Sequence, residues 1–349
     1  MTLQEQASPD AENSNQPESN KLSSSANSSS SSEPLYTPPS PSSMSSTSAS
    51  NTNMPAPPHG AANISIREYI YFLPYPLPPH TPVPYSIHLP AKNPLNLPPH
   101  QFEPTSTLVL TSPLNTFVDI RLFKPTQPGQ SALPNEAERE RLEWAFAGNS
   151  VSVPTPDPHG PASWDEEPWQ GVTKSTWTHW VDSRYAVGAK DIPVDEGVMY
   201  PIDETLTLEH GHAYHPALKA VKSHEEMWRD VPVAGVVVDG IGKKVCVVLR
   251  LQDDNAGARG VVVRLGQYVQ GLVMFGTYST VERWEFEGEM KDAEDGKAEG
   301  ARDGGWKRTA RVGDQFLPCS VTWREDVLKV GGKIKYKDYE WVVEEAWEW

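Results

Sequence analysis

Apolar and polar residues alternate most regularly between Lys244 and Phe275, KVCVVLRLQDDNAGARGVVVRLGQYVQGLVMF. Val245, Val247, Leu249 and Leu251 alternate with Cys246, Val248 and Arg250, the period of two with which a strand buries one face. The polar stretch Asp253 to Gly260 reads as a turn, and beyond it Val261, Val263 and Leu265 alternate with Val262, Arg264 and Gly266. The pattern predicts a β-hairpin with Arg250 and Arg264 on its wet face. It sets the fold class as all-β, mainly antiparallel.

The same reading extends along the chain. Ile64, Ile66, Ile70 and Phe72 alternate with Ser65, Arg67, Tyr69 and Tyr71, a first strand stopped by Pro74. Ser106 to Pro125 reads as strand, turn at Ser112 to Asn115, and strand. Glu143 to Gly148 is an aromatic strand, Thr173 to Arg184 alternates again, and Gly197 to Glu209 carries two short strands around Asp203. Two helices are predicted, a short one from Asn135 to Arg141 with Asn135 as cap, and a linking one from His215 to Trp228 with Leu218 and Val221 at helical spacing. In the second half, Ala234 to Asp239, Tyr278 to Gly288 and the runs WKRTARVG, FLPCSVTW and GGKIKYKDYEWVVEEAWEW read as strands, with a charged Gly-rich loop from Lys291 to Gly305.

Two halves with similar order emerge. Ile64 to Phe72, Leu108 to Phe123 and EWAFAG match Ala234 to Asp239, Val245 to Leu265 and YVQG. Many short strands in each half predict two barrels or strongly curled sheets, because closure removes exposed edges. The expected divisions are a tail over residues 1–62, a first barrel over 63–230 carrying a Pro-rich insert at about 77–104, and a second barrel over 231–349.

Composition changes this picture mainly at the N-terminus. Hydrophobic residues are 37% of the 349, and the deficit sits in the first sixty, which are dominated by Ser, Asn, Pro and Thr. Such a segment cannot offset the entropy of ordering itself, so it is expected to be disordered. It holds Ser8-Pro9, Thr37-Pro38 and Ser40-Pro41, potential substrates of proline-directed kinases. The opening residues lack the basic start and apolar run of a secretory signal, and no apolar run is long enough to span a bilayer. A net charge of −16 disfavours nucleic-acid backbones and anionic lipid as partners. Cys246 and Cys319 are too few for a disulfide framework and read as buried reduced thiols, consistent with a cytoplasmic protein, with the nucleus not excluded.

Candidate chemistry is sparse. His210, His212 and His215, with Glu209, His224 or Glu225 nearby, form a metal-like cluster, since imidazoles at i and i+2 of a strand share a face. No cysteine stands close, and a solvated turn is the favoured reading. Trp144, Trp177, Trp180, Trp284, Trp306, Trp323 and Trp341 could line an apolar pocket, but aromatics at alternating positions more often fill small barrels. Gly235, Gly240 and Gly242 lack phosphate-loop spacing, no G-x-S-x-G elbow occurs, and Asp165, Glu166 and Glu167 read as a solvated run. No catalytic, cofactor or metal residues are therefore assigned.

The segments RLGQYVQGLV, LEWAFAG, STWTHWVDS and DEGVMYP followed by EEMWRDVP resemble the fungal HRI protein family from about residue 63 to the end. The resemblance implies two lipocalin-like β-barrel domains in a cytoplasmic protein, with the nucleus as the alternative compartment. It further implies association with a casein kinase I and, as another candidate partner, the translocation machinery at the endoplasmic reticulum. It carries no catalytic residues over. The expected function is a non-enzymatic interaction module without a cofactor. The rival expectation is a carrier of a small apolar ligand.

Overall fold

Period-two alternation becomes strands throughout. In the computed structural model the first half is β1 (Asn63–Leu73), β2 (Thr105–Thr111), β3 (Thr116–Phe123), β4 (Leu142–Pro154), β5 (Thr173–Asp182), β6 (Asp195–Pro201), β7 (Leu206–His215) and β8 (Ala220–Val231). Each pairs antiparallel with the next, and β8 returns to pair with β1, closing an eight-stranded barrel. The structure describes residues 62–88, 103–136, 138–160, 167–215, 218–238, 241–288, 290–291, 305–324 and 328–349. The N-terminal tail with its Ser-Pro and Thr-Pro sites, Asp165, Glu166, Gly240, half of the Pro-rich insert (89–102) and most of the stretch Lys291 to Gly305 lie outside these residues.

The second half adds β9 (Gly235–Val238), β10 (Ile241–Lys243), β11 (Val245–Asp253), β12 (Ala258–Leu265), β13 (Tyr268–Phe275), β14 (Tyr278–Glu287), β15 (Met290–Lys291), β16 (Gly305–Val312), β17 (Lys333–Tyr336) and β18 (Tyr339–Glu348). Three of them form a small sheet in the order β10-β9-β15. The others form a seven-stranded antiparallel sheet, β16-β14-β13-β12-β11-β18-β17. The all-β antiparallel class holds, with one barrel closed by backbone pairing and a second sheet whose edge strands among the described residues are β16 and β17.

The hairpin that sets the class is β11–β12, in register from Cys246 opposite Leu265 to Asp253 opposite Ala258. Both of its faces are buried. Val245, Val247, Leu249 and Leu251 join Trp341, Val343, Leu317 and Cys319 in the second half's own core. Cys246 and Val248 face Leu108, Leu110, Val118, Ile120 and Ala145 on the outside of the first barrel. Arg264 is accordingly not on a wet face. It is buried, donates from Nη1 to the Thr322 carbonyl at 2.7 Å, and lies over the Trp306 ring.

Both predicted helices are corrected. His215 to Trp228 contains the β7–β8 hairpin, because a helix there would leave the barrel open between β7 and β1. Closure outweighs the helical spacing of Leu218 and Val221, as tertiary pairing routinely overrides propensity. Between Asn135 and Arg141 only a 3-10 turn forms, at Arg139–Arg141, and Asn135 spends its amide on Arg308 instead of a cap. Cys319 stands in another 3-10 turn, Cys319–Trp323, and not in a strand.

Two corrections concern register. A bulge between Arg67 and Tyr69 splits the face predicted for β1. Ile64 and Ile66 pack outward against the second half, whereas Ile70 lies beside Glu226 of β8 inside the barrel. The two halves also match one strand later than the pattern suggested. β1 corresponds to β11, since each pairs with the strand after it and with the last strand of its half.

Polar pins cross the apolar junction between the halves. Gln270 Nε2 donates to the carbonyls of Leu108 and Val118 at 2.8 and 3.2 Å. Buried Arg283 donates to Gln270 Oε1, Ser106 Oγ and the carbonyls of Ser106 and Ile120 at 2.8 to 3.3 Å. Ser112 Oγ donates to Glu345 Oε1 at 2.6 Å. Burial lowers the Arg283 guanidinium to about 10, so it remains charged at neutral pH. Arg283→Ala strands several of these acceptors in an apolar junction, and the expected loss is about 3 kcal/mol. Urea unfolding read by tryptophan fluorescence checks this, and a loss below about 0.5 kcal/mol would show that the pin is dispensable.

Candidate functional site

The interior of the first barrel is charged. On β3, Val118, Ile120 and Leu122 point out into the apolar junction, so Phe117, Asp119 and Arg121 point in. On β8 the inward set is His224, Glu226 and Trp228, and on β7 it includes Glu209, Gly211 and His215. The bulge in β1 turns Arg67 into the same space, in register with Trp228.

Arg67 ties β1 to β8 and to the start of β2 with its flank. Its Nε and Nη2 reach Glu103 at 2.8 and 3.2 Å, Nη2 donates to Thr105 Oγ1 at 3.0 Å, and Nη1 reaches Glu226 Oε1 at 2.9 Å. Arg121 donates twice to Asp119 Oδ2, at 3.0 and 2.8 Å, and its Nη1 lies 3.7 Å from Glu226 Oε1. The same guanidinium stacks over Trp144 and Phe146 at 5.1 and 5.2 Å. Burial alone would raise the Glu226 carboxyl, but Arg67 and then Arg121 overrule it and hold it well below the usual carboxylate range.

Glu209 is the surplus acid. It faces Glu226 across the β7–β8 ladder and receives the Trp228 Nε1–H at 2.9 Å. Burial first, and then the Glu226 charge, push it up to about 8. Burial likewise raises Asp119, whose Oδ1 is buried without a hydrogen-bond donor. The carboxylates of Glu103, Asp119, Glu209 and Glu226 thus outnumber the guanidiniums of Arg67 and Arg121. Glycines of the wall approach two of the buried side chains closely. A Cβ on Gly197 would come within 2.6 Å of Glu209 Oε1, and one on Gly211 within 2.9 Å of the His224 ring.

Further round the wall, His179 Nδ1 sits 2.8 Å from Asp182 Oδ2 and its Nε2 lies 3.3 Å from Asp195 Oδ2. Burial opposes the imidazolium, but the two carboxylates prevail and raise its pKa. The ring stacks on Phe146, and Trp144 Nε1 donates to Asp182 Oδ1 at 2.8 Å.

The histidines proposed as a cluster are strand residues of β7 rather than a loop, and they separate by face. His210 is buried on the outer face, 3.6 Å from Glu225 Oε1 and edge-on to His159. His212 stacks on Tyr75. His215 turns inward, its Nε2 3.2 Å from His224 Nδ1. Burial lowers His224 to about 4 and lowers His215 as well, so both are neutral at pH 7. Glu225 accepts the N–H groups of Tyr85 and Ser86, pinning the segment after β1 to the outer wall. Among the described residues no three His, Cys, Asp or Glu side chains converge as a metal site requires.

The tryptophans divide likewise. Trp341 is wholly buried in the second half's core, and Trp284, Trp306 and Trp323 stack beside it. Trp180 sits at the junction under Arg250 and Arg259. A recess of about 440 Å3 lies outside the barrel between Pro154–Asp157 and Pro168–Val172, with Trp169 in its wall. Both cysteines are free and buried, and burial pushes their thiols up.

Sequence reasoning missed the charged lumen. The signal is charge on one face of a strand whose other face is apolar, as in VDIRLF, and the run HEEMW at the end of the stretch read as helical.

A closed antiparallel barrel with an ion-paired interior, pinned to a second antiparallel sheet through an apolar junction, defines a two-part all-β protein. A sequence profile described as Protein HRI1 matches residues 88–345, and the chain belongs to that family. The fold is similar to a crystal structure of an uncharacterized protein from Saccharomyces cerevisiae, with a TM-score of 0.50 at 17% identity over 82% of this chain and 99% of the other. No curated protein sequence matches. Among the described residues no helix is long and apolar enough to cross a membrane.

The Glu209–Glu226 pair gives a signed expectation. A carboxyl raised in the folded state binds its proton more tightly there than in the unfolded chain. Stability from Glu209 is therefore full below its ordinary value of 4.5 and is lost as pH rises towards 8. Glu226, held low, acts oppositely and loses its contribution only in acid. Glu209→Gln should match the parent at pH 5 and exceed it at pH 8.5 by about 2 kcal/mol. Urea midpoints at the two pH values measure this, and equal differences at both would remove the surplus-proton account.

Proposed function

We propose that this chain is a non-enzymatic interaction protein that works through its outer surfaces, with a casein kinase I as partner. The observation that carries this reading is the self-consumption of the lumen's charges. Arg67 and Arg121 are spent on Glu103, Asp119 and Glu226, and Glu209 is spent on Trp228. Groups so paired have little capacity left for a substrate, and Gly197 and Gly211 lie close against Glu209 and His224. The same charges argue against an apolar cargo, because a carrier's cavity is lined mainly by hydrophobic and aromatic side chains. The family supplies the kinase as partner only by resemblance. The Ser-Pro and Thr-Pro sites near the N-terminus suit phosphorylation.

A pull-down of purified casein kinase I by the full chain, and by the chain lacking residues 1–62, tests this. Retention by the full chain is expected, with weaker retention once the tail is removed. Absence of retention by the full chain would defeat the kinase reading, and a reproducible bound small molecule in native mass spectrometry would favour a carrier instead.

A further inference from the structure

The end of the β7–β8 hairpin stands clear of its neighbours. The last β7 residue in register with β6 is Gly211, and the first β8 residue in register with β1 is Ser223. From there the ladder of Ala213–His215 against Ala220–Lys222 continues as a ribbon of two strands, and among the described residues no further strand pairs with the outer backbone edge of either. The ribbon is apolar on one face. Tyr214 and Val221 form a cross-strand pair with 60% and 44% exposure, and Leu218 in the turn is 46% exposed. Tyr75, 47% exposed, extends this face by stacking on His212. Side chains of this size at the end of a ribbon otherwise lose the benefit of burial.

The charge around this face is the reverse of the chain's. From His210 to Ser223 there is no acid, while Lys219 and Lys222 are present, in a protein of net charge −16. Whole-molecule repulsion is screened beyond about 8 Å at physiological ionic strength, so a contacting segment senses the local lysines. An unpaired strand edge offers main-chain hydrogen bonds to an extended peptide, and the side chains beside it set which peptide fits.

We infer that the projecting β7–β8 ribbon is a docking surface for an extended, acidic segment of a partner protein carrying aromatic or branched residues at alternate positions. Its backbone pairs with the free edge at Ala213–His215, its apolar side chains cover Tyr214 and Val221, and its carboxylates meet Lys219 and Lys222. This rests on the interaction reading above and assigns that reading a place on the molecule.

The test uses the full chain and a fluorescein-labelled random copolymer of glutamate and tyrosine as probe, followed by anisotropy. The parent chain should bind, and salt should weaken the binding. Lys219→Glu with Lys222→Glu should weaken it at least tenfold, and Tyr214→Ser with Val221→Ser at least fivefold. Lys333→Glu with Lys335→Glu, on the distant edge strand β17, should leave it unchanged. No binding by the parent, or equal loss in the β17 variant, overturns the inference. Binding to phosphatidylserine vesicles with none to the copolymer also overturns it, as does concentration-dependent dimerisation abolished by the ribbon variants in the absence of copolymer binding. Circular dichroism confirms that the variants fold. The kinase pull-down separates the two readings. Kinase held by the parent and equally by both ribbon variants overturns the ribbon as the kinase's docking place while the interaction reading stands. A parent that fails to hold kinase defeats that reading alone, and the copolymer measurement still decides the ribbon.

Discussion

A guanidinium withdrawn from water must be surrounded by acceptors, and Arg67 meets that demand at the seam where the barrel closes. Its partner Glu226 lies 159 residues away, on the strand that returns to pair with β1. Its other partners, Glu103 and Thr105, lead into β2. A charge left unpaired in such a place costs several kcal/mol, so any register of β8 on β1 that separates Arg67 from Glu226 is strongly disfavoured. Apolar residues alone would tolerate a slip of two. The ion pair therefore contributes specificity of register more than net stability, since a well-packed apolar substitute could be equally stable. The bulge at the same seam follows from this demand, because without it Arg67 and Tyr69 would share a face, and one of them would be on the wrong side.

Spending two guanidiniums on Glu226 leaves Glu209 opposite it with only an indole N–H. Burial and the Glu226 charge hold the Glu209 carboxyl up to about 8, so it keeps its proton at neutral pH. The packing of Gly197 and Gly211 against Glu209 and His224 is the steric side of the same arrangement. Strand pairs in which a glycine lies beside a buried ionisable side chain are thus places where the wall has been thinned for the lumen's own contents.

How much of this could be read from sequence depended on whether one face of a strand was enough to classify it. The hairpin from Val245 to Leu265 was legible because branched residues at period two occur there in an unbroken run. Its second buried face was not, because Arg264 looks like a solvent residue until Thr322 and Trp306 are placed around it. The β7–β8 hairpin failed for a related reason. Lys222, His224, Glu226 and Trp228 alternate with Val221, Ser223, Glu225 and Met227, so neither face is apolar throughout, and helical spacing won by default. A lumen lined with charges erases the contrast on which period-two reading depends. The tryptophans of the second half were readable as core because that half is filled with apolar side chains.

The two halves share a strand order but solve the edge problem differently. In the first, β8 on β1 completes the ladder. In the second, β16 and β17 are the edges among the described residues, and β16 is met by the excursion between β3 and β4. There the Arg311 N–H donates to the Pro134 carbonyl at 2.8 Å, and Asn135 exchanges side-chain hydrogen bonds with Arg308 and its carbonyl. The asparagine that looked like a helix cap is therefore part of an edge cover supplied by the other half. β17 is short and carries Lys333 and Lys335, a common protection for an edge that stays open. Apolar burial at the junction, the Arg283 and Gln270 pins, and the Pro134–Asn135 contact all act between the halves, so the second sheet relies on the first barrel for the burial of one face and for the cover of one edge. It follows that removing the barrel would expose Cys246, Val248, Val261 and Val263 together with the β16 edge, and the second half should then aggregate rather than persist as an independent domain.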